Sequence, residues 1–199
     1  MVVDMSREIK RRFVPLPEAL IEEAIKVSER VGIPYLVLIE KILESNLSIM
    51  KYKPTILKAL LVADAIDDLR RLGAALLPWS TVKTVVNSMS ENEFKALIGE
   101  MEKVSLWFGE LSRVKHGSSP GMFEAALTAF MSSALIDVIQ EGENIYRYVV
   151  TFLDQSPRIM NLAEVVAVNL AKGFNLNILD VKRGDNTLSV RVTGFFEKE

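Results

Sequence analysis

Apolar residues recur at helical spacing near the start of the chain and predict a first helix over residues 17–31. The spacings are four, three and four residues, and the stripe consists of Leu20, Ala24, Val27 and Val31. Pro17 suits the first position of a helix, where its missing N–H group has no intrahelical partner to lose. Gly32 is typical of the residue that ends a helix.

A second helix is predicted from Pro34 to about Ser48, and it is apolar on nearly every side. Such a helix must be buried on most sides, and two helices in one chain do not provide that burial. Residues 8–16 favour a short strand, which also lacks a partner for its backbone groups. Two chains that pair these strands and interlock their second helices meet both needs, so the pattern predicts a dimer.

The segment LPEALIEEAIKVSERVGIPYLVLIEKIL resembles the ribbon–helix–helix DNA-binding proteins, the fold of Arc-type repressors and many antitoxins. The resemblance covers roughly a quarter of the chain. It rests on a basic strand, the Leu16-Pro17-Glu18 entry, the length of the first helix and the Gly32-Ile33-Pro34-Tyr35 turn. In that family two antiparallel strands lie in the major groove as a β-ribbon. The resemblance therefore implies a homodimer that binds DNA.

The resemblance also implies which residues contact DNA. Side chains two, four and six residues before the proline read bases in that family, and here they are Pro15, Phe13 and Arg11. Arg11 suits a bidentate contact with guanine, and Phe13 suits the methyl group of thymine. The family commonly has Ser or Thr where the second helix begins and its N–H groups bind a phosphate, whereas this chain has Pro34 and Tyr35. The predicted DNA-binding residues are Arg7, Lys10, Arg11, Arg12, Phe13 and Tyr35.

Beyond residue 51 the pattern predicts a helical region that ends in a β-α-β-β element. Helices are predicted over 55–76, 81–89, 90–114, 119–142 and 162–173, and strands over 145–153, 175–182 and 187–196. Ser90 and Glu93 are spaced as a capping box. We therefore predict an α+β protein that is mostly helical. It comprises a ribbon–helix–helix dimerisation module over 1–50 and a helical plus α+β domain over 51–199.

Composition and charge add the environment. The chain has no cysteine, which excludes disulfides and suits a reducing cytoplasm. It shows no signal peptide and no run of 18 apolar residues, so we expect no membrane association. Only two glutamines occur, with abundant Ile, Val and Leu, a composition that favours a thermophile. The net charge is −2, yet residues 7–12 hold four basic residues against one acid, a local charge suited to phosphates.

Three groups of residues are candidate chemical sites. Asp64 and Asp68 share a helix face, so their oxygens suit a divalent cation; the alternative is a solvated face near Arg70 and Arg71. The single histidine, His116, is predicted to be exposed in the loop 116–121. Ser118 and Ser119 have no base at a recognisable spacing.

Trp79 and Trp107 are predicted as core or interface anchors. None of the common nucleotide, metalloprotease or calcium motifs occurs in the sequence. We therefore expect no catalytic activity, no metal and no cofactor.

These expectations give two hypotheses. The first is a cytoplasmic transcriptional regulator that binds DNA as a ribbon–helix–helix dimer, with a C-terminal domain for oligomerisation or ligand sensing. The alternative is a non-enzymatic assembly or adaptor protein that uses the N-terminal module only to dimerise and docks a protein partner. Phe13, Pro15 and Pro34 favour the alternative, while the four basic residues within 7–12 favour DNA.

Overall fold

A computed structural model of the chain describes residues 13–51, 56–153 and 156–197. The chain divides into two compact units, Met1–Ile56 and Leu57–Glu199, called unit 1 and unit 2 below. The described residues form seven helices, a four-stranded antiparallel sheet and one short strand pair. The predicted α+β class, mostly helical, is confirmed.

Unit 1 contains two helices, α1 over Glu18–Val31 and α2 over Tyr35–Met50. Both were predicted, and α2 begins one residue later and ends two residues later than expected. Gly32 ends α1 in the left-handed conformation with a φ of 72°, and its N–H group donates to the carbonyl of Ser28. Glycine adopts this φ without the steric cost that a Cβ atom brings. The chain thereby reverses in three residues, and α2 begins after Pro34.

Residues 13–17 precede α1 and lie in neither a helix nor a strand. They include the described end of the strand predicted over 8–16, of which residues 8–12 lie outside the described residues. A strand is defined by the hydrogen bonds that its backbone makes to a neighbouring strand. Within a single chain residues 13–16 therefore form no strand.

Unit 2 carries five helices: α3 over Ile56–Arg71, α4 over Trp79–Ser88, α5 over Glu91–His116, α6 over Pro120–Phe130 and α7 over Pro157–Gly173. The predicted capping box is confirmed. The N–H group of Ser90 donates to the Glu93 carboxylate at 2.7 Å, and the N–H group of Glu93 donates to the Ser90 hydroxyl at 3.4 Å. These two hydrogen bonds satisfy backbone donors at the start of α5.

The sheet of unit 2 has the strand order β2-β3-β5-β4, with every pair antiparallel. Its strands are β2 over Leu135–Gly142, β3 over Ile145–Thr151, β4 over Asn177–Arg183 and β5 over Thr187–Thr193. Two further short strands, β1 over Gly117–Ser118 and β6 over Phe196–Glu197, pair with each other. Side chains alternate along β3 and β5, so Tyr148 and Val190, which lie opposite each other, are both buried.

The core of unit 2 lies between one face of the sheet and helices α5, α6 and α7. Phe123 of α6 packs edge-to-face against Tyr148 at 4.8 Å between ring centroids. Helices α5 and α7 cross at Gly109 and Gly173, where a Cβ atom on Gly173 would lie 2.3 Å from the carbonyl oxygen of Leu106. The sequence analysis did not foresee this contact, which only two glycines permit.

The helix predicted over 119–142 is wrong in its second half. Helix α6 ends at Phe130, and residues from Leu135 onward form β2, so the C-terminal element is β-β-α-β-β. Strand β2 pairs with β3 along its whole length, and Asn144, with a φ of 56°, makes the turn between them. Pairing with β3, which sequence periodicity does not reveal, overrides the helical pattern.

Helix α3 ends at Arg71, whereas the prediction extended it to residue 76. Its buried residues are Ala65, Asp68 and Leu69, and Leu60 is exposed. Ion pairs connect the helix to its neighbours, from Lys58 to Glu124 of α6 and from Asp68 to Lys115 of α5.

Candidate functional site

The predicted DNA-binding residues fall into two groups. Four of them, Arg7, Lys10, Arg11 and Arg12, lie outside the described residues. Phe13 is 91% exposed and precedes α1, whereas Tyr35 is 38% exposed and is the first residue of α2. Both side chains are therefore accessible within the single chain, as a contact with another molecule requires.

The N-terminus of α2 presents backbone N–H groups without a side-chain cap. Pro34 occupies the N-cap position and makes no side-chain hydrogen bond, and the first turn holds no acidic residue. By contrast, Glu18 lies in the first turn of α1. The first N–H groups of a helix lack intrahelical acceptors and carry the positive end of its dipole. The start of α2 is therefore suited to an anion.

The apolar side chains of unit 1 are not buried. Helix α2 has no buried residue, and Ser28 of α1 is the one buried residue among those described in unit 1. The largest exposed apolar side chains of the two helices are Leu20, Val31, Leu36, Leu43 and Leu47, each more than half exposed. Exposed apolar side chains in this number are typical of an interaction site or an interface.

Asp64 and Asp68 of α3 bind a lysine of α5. The ammonium of Lys115 lies 2.6 and 2.7 Å from the two carboxylate oxygens of Asp64 and 3.0 Å from an oxygen of Asp68. Asp68 is only 2% exposed, so the prediction of a solvated face is wrong for it. The cation between the two carboxylates is thus a side chain of the protein itself, since an unpaired buried carboxylate is costly.

His116 is the last residue of α5, so its predicted place in an exposed loop is wrong. Its Nε2 atom lies 2.8 Å from a carboxylate oxygen of Asp64. Burial raises the pKa of Asp64, but hydrogen bonds and charge from Lys115 and His116 outweigh it and lower the pKa. These contacts hold α3 against the end of α5.

The two serines of the predicted loop have structural roles. The buried Ser118 hydroxyl donates to the carbonyl of Phe174, and the Ser119 hydroxyl accepts from the N–H group of Met122 at the start of α6. Both side chains are thus committed to backbone groups. Within the described residues they offer no activated nucleophile.

A cavity of about 270 Å³ lies in unit 2, and the sequence analysis did not foresee it. We call it the main cavity. It is bounded by Leu77, α4 (Trp79, Val82, Val85, Val86), Met89, α5 (Leu97, Met101), Phe130, Met131, Phe152 and α7 (Ile159, Leu162, Ala163, Val166). Every lining residue is apolar, and Trp79 stacks on Phe152 at 5.8 Å between centroids. Its predicted role as a core anchor fits this contact, whereas Trp107 is mostly exposed.

A smaller cavity of about 150 Å³ adjoins the main cavity, and we call it the side cavity. The two share the lining residues Leu77, Trp79, Val82 and Phe130. Ser132 and Ser133 line only the side cavity. The hydroxyl oxygen of Ser133 is buried and has no hydrogen-bond partner among the described residues. Most buried polar atoms are hydrogen-bonded, so this hydroxyl is an exception, together with Ser112 Oγ and Arg113 Nε, which line neither cavity.

No protein-family model matches the chain, and no curated protein matches it either. Within the part of the chain that the structure describes, no helix is long and apolar enough to cross a membrane. The function is therefore argued from the geometry of each unit.

Proposed function

We propose that this protein is a cytoplasmic DNA-binding transcriptional regulator that acts as a ribbon–helix–helix dimer through unit 1. In this proposal unit 2 serves for oligomerisation or ligand sensing. The observation that carries it is the state of α2, a helix that is apolar on nearly all sides and has no buried residue in the single chain. The exposed apolar side chains of α2 are a property of the single chain, independent of DNA or of a second chain.

A second copy of unit 1 would cover the exposed apolar side chains of α2. Burial of apolar surface contributes about 25 cal/mol per Å², so side chains of the size of Leu36, Leu43 and Leu47 contribute roughly 1.5–3 kcal/mol each when fully covered. Interlocking two α2 helices about a twofold axis covers the same surface on both chains. In the proposed dimer the segments before Pro17 pair with each other as strands, which supplies partners for their backbone groups.

Charge supports DNA as the ligand of that dimer. Four basic residues stand within 7–12, and twofold symmetry doubles them. Each Lys or Arg that reaches a phosphate releases counterions, which gives affinity that falls with salt. The uncapped start of α2, with Tyr35 beside it, supports a further phosphate contact. The nearly full exposure of Phe13 ahead of α1 supports a contact with a base edge.

The experiment is fluorescence anisotropy of a labelled mixed-sequence duplex titrated with the full-length protein at low and moderate salt. The decisive variant replaces Lys10, Arg11 and Arg12 with alanine. The matched control replaces Arg70, Lys103 and Lys182 of unit 2 with alanine, because it removes the same charge from exposed positions. We expect salt-sensitive binding that the first variant abolishes and the control preserves.

Equal losses in both triple variants would show that net charge alone governs binding and would contradict the proposal. No binding at low salt, where electrostatic attraction is strongest, would leave a dimerisation module and favour the adaptor alternative. A further variant, Arg11→Ala, tests base reading. It should lower affinity more for a selected sequence than for random duplex, whereas equal losses would assign Arg11 to phosphates.

A further inference from the structure

We infer that the main cavity of unit 2 is a binding site for an uncharged, largely apolar small molecule, whose single polar group is received by Ser133 in the side cavity. The inference rests on the ligand-sensing part of the proposed function, but it does not depend on DNA binding. Three observations support the inference: the size of the main cavity, its wholly apolar lining, and the Ser133 hydroxyl beside it, which has no hydrogen-bond partner in the described part of the chain.

The size of the cavity suits a small ligand. Ligand sites in proteins typically measure about 300–1,000 Å³, and an engineered apolar cavity of about 150 Å³ is enough to bind benzene. The main cavity, at about 270 Å³, therefore has room for roughly two fused or linked rings, or for a folded medium-length alkyl chain. The side cavity adds about 150 Å³ at one end.

The depth of the lining distinguishes a small molecule from a protein partner. Six lining residues are buried, namely Val86, Met131, Phe152, Ile159, Ala163 and Val166. Leu77 and Val85 are the exposed ones and form the rim. A globular surface placed over the mouth reaches the rim but not the recessed wall, because protein interfaces are broad rather than narrow. A small molecule that enters the cavity covers the buried residues as well as the rim.

The lining also sets the charge of the ligand. No charged side chain lines either cavity. The nearest described guanidinium that touches the wall, Arg158, donates to the carbonyls of Val86 and Met89 and pairs with the Glu91 carboxylate. Its donors are therefore committed outside the cavity. An ionised ligand would be desolvated without a counter-charge, which is strongly unfavourable.

Two features make the site adaptable and directional. Met89, Met101 and Met131 line the main cavity, and methionine side chains adjust to ligands of different shape. Ser133 gives direction, because a hydroxyl both donates and accepts hydrogen bonds and rotates to meet a partner. A ligand with its apolar body against Trp79 and its polar group in the side cavity satisfies the hydroxyl that the protein leaves without a partner.

The test uses the full-length chain and the neutral two-ring dye Prodan, whose emission shifts to the blue and brightens in apolar surroundings. Trp79 lines the cavity, so its emission should fall as the dye binds and accepts its excitation energy. A Trp107→Phe variant leaves Trp79 as the one tryptophan, and Trp107 does not line the cavity. We expect saturable binding of one dye molecule per chain without DNA present.

The decisive pair of variants lies on α7. Ala163→Phe fills the main cavity, whereas Val165→Phe adds a phenyl ring on the same helix outside it. We expect at least about a tenfold loss of dye affinity in the first, equivalent to about 1.4 kcal/mol, and little change in the second. Unchanged binding to Ala163→Phe would place the dye elsewhere, for example on the apolar surface of unit 1, and would overturn the inference.

A second pair tests the site if Ala163→Phe fails to fold. Val85→Glu places a charge at the rim, and Thr84→Glu places it at the adjacent exposed position, which does not line the cavity. Only Val85→Glu should weaken dye binding. Competition then tests the ligand class: octanol should displace the dye at lower concentration than octanoate does. Preference for octanoate would contradict an uncharged ligand.

These outcomes separate the two proposals. Dye binding that responds to Ala163→Phe, together with no binding of DNA, would support the ligand site and reject the DNA-binding function. DNA binding with no dye site would do the reverse and leave oligomerisation as the role of unit 2.

Discussion

Units 1 and 2 of this chain bury their apolar residues in opposite ways. Helix α2 of unit 1 has no buried residue, although it is among the most apolar segments of the sequence. Helix α7 of unit 2 has nine buried residues and packs against the sheet and three helices. Unit 2 therefore has a core within one chain, whereas unit 1 has none in the single chain and would acquire one only in the proposed dimer.

The largest expected effect concerns the missing core of unit 1. Leu43 is more than half exposed in the single chain, and the proposed interlocked dimer would bury it. Leu43→Glu would bury an unpaired carboxylate on both chains, so we expect the dimer to dissociate at micromolar concentration. Light scattering should give the mass of two chains for the unmodified protein and of one chain for the variant.

Lys41→Glu is the control for that experiment, because it changes charge at an exposed polar position of the same helix. It should leave the mass unchanged. A single-chain mass for the unmodified protein would contradict the proposed dimer of unit 1 and the β-ribbon that depends on it.

The next effect concerns the dense core of unit 2. Gly173→Ala places a methyl group 2.3 Å from the carbonyl oxygen of Leu106, so α5 and α7 must move apart. Overpacking of this kind costs about 1–3 kcal/mol, and a contact with backbone lies at the upper end of that range. Urea unfolding should show the loss in the free energy of unfolding.

Gly99→Ala on α5 is the matched substitution, because a Cβ atom at Gly99 has no neighbour within 4 Å. Alanine there should stabilise the protein by about 0.5–1 kcal/mol, through its better helix propensity. If both variants behaved alike, the close crossing of α5 and α7 would be wrong.

The helices α1 and α2 and the C-terminal hairpin were predictable because local signals agree with their surroundings. Gly32 ends α1 where the pattern of apolar residues also ends, and Ser90 with Glu93 caps α5 as their spacing predicts. Strand β2 was missed because its helical pattern is overridden by pairing with β3, a contact between separate elements. Periodicity reports which face is apolar, and it does not report what lies opposite.

The candidate sites show the same limit. The ribbon residues were proposed from local sequence, and most of them lie outside the described residues, so they stay a prediction. The cavity had no sequence signal, since an unfilled space between α4, α5 and α7 depends on the sizes of residues far apart in the chain. Asp68 was predicted to be solvated because its ion-pair partner Lys115 is 47 positions away in the sequence, and no local pattern connects the two residues.

A smaller effect tests how α3 is held to unit 2. Lys115→Met leaves Asp64 and the buried Asp68 without their shared ammonium, and Lys115 is itself partly exposed to solvent. We expect a loss of about 1–2 kcal/mol at neutral pH, less than for a fully buried pair. Lys103→Met, which removes an exposed pair with Glu100, should cost no more than a few tenths of a kcal/mol.

The pH dependence of that loss follows from the pKa of Asp64, which is lowered in the folded protein. A lowered carboxyl pKa stabilises the fold above the unfolded value of about 3.9, and this stability is lost as the pH falls through the folded pKa. The difference in stability between the unmodified protein and Lys115→Met should therefore shrink below about pH 4. A difference that is constant down to pH 2 would show that the ion pair does not hold α3.

The smallest effect concerns Ser133, whose hydroxyl is one of three buried side-chain polar atoms without a hydrogen-bond partner among the described residues. Removing a buried hydroxyl that makes no hydrogen bond removes its desolvation cost, so Ser133→Ala should raise the free energy of unfolding by about 1 kcal/mol. Ser118→Ala is its counterpart, because Ser118 donates to the carbonyl of Phe174, and its loss should lower stability by a similar amount.

The same Ser133→Ala protein should bind octanol about fivefold more weakly, since the alcohol loses a hydrogen bond worth about 1 kcal/mol. A gain in stability without a loss of octanol affinity would assign Ser133 to imperfect packing, whereas both changes together would show that the protein gives up stability at this position to receive a ligand.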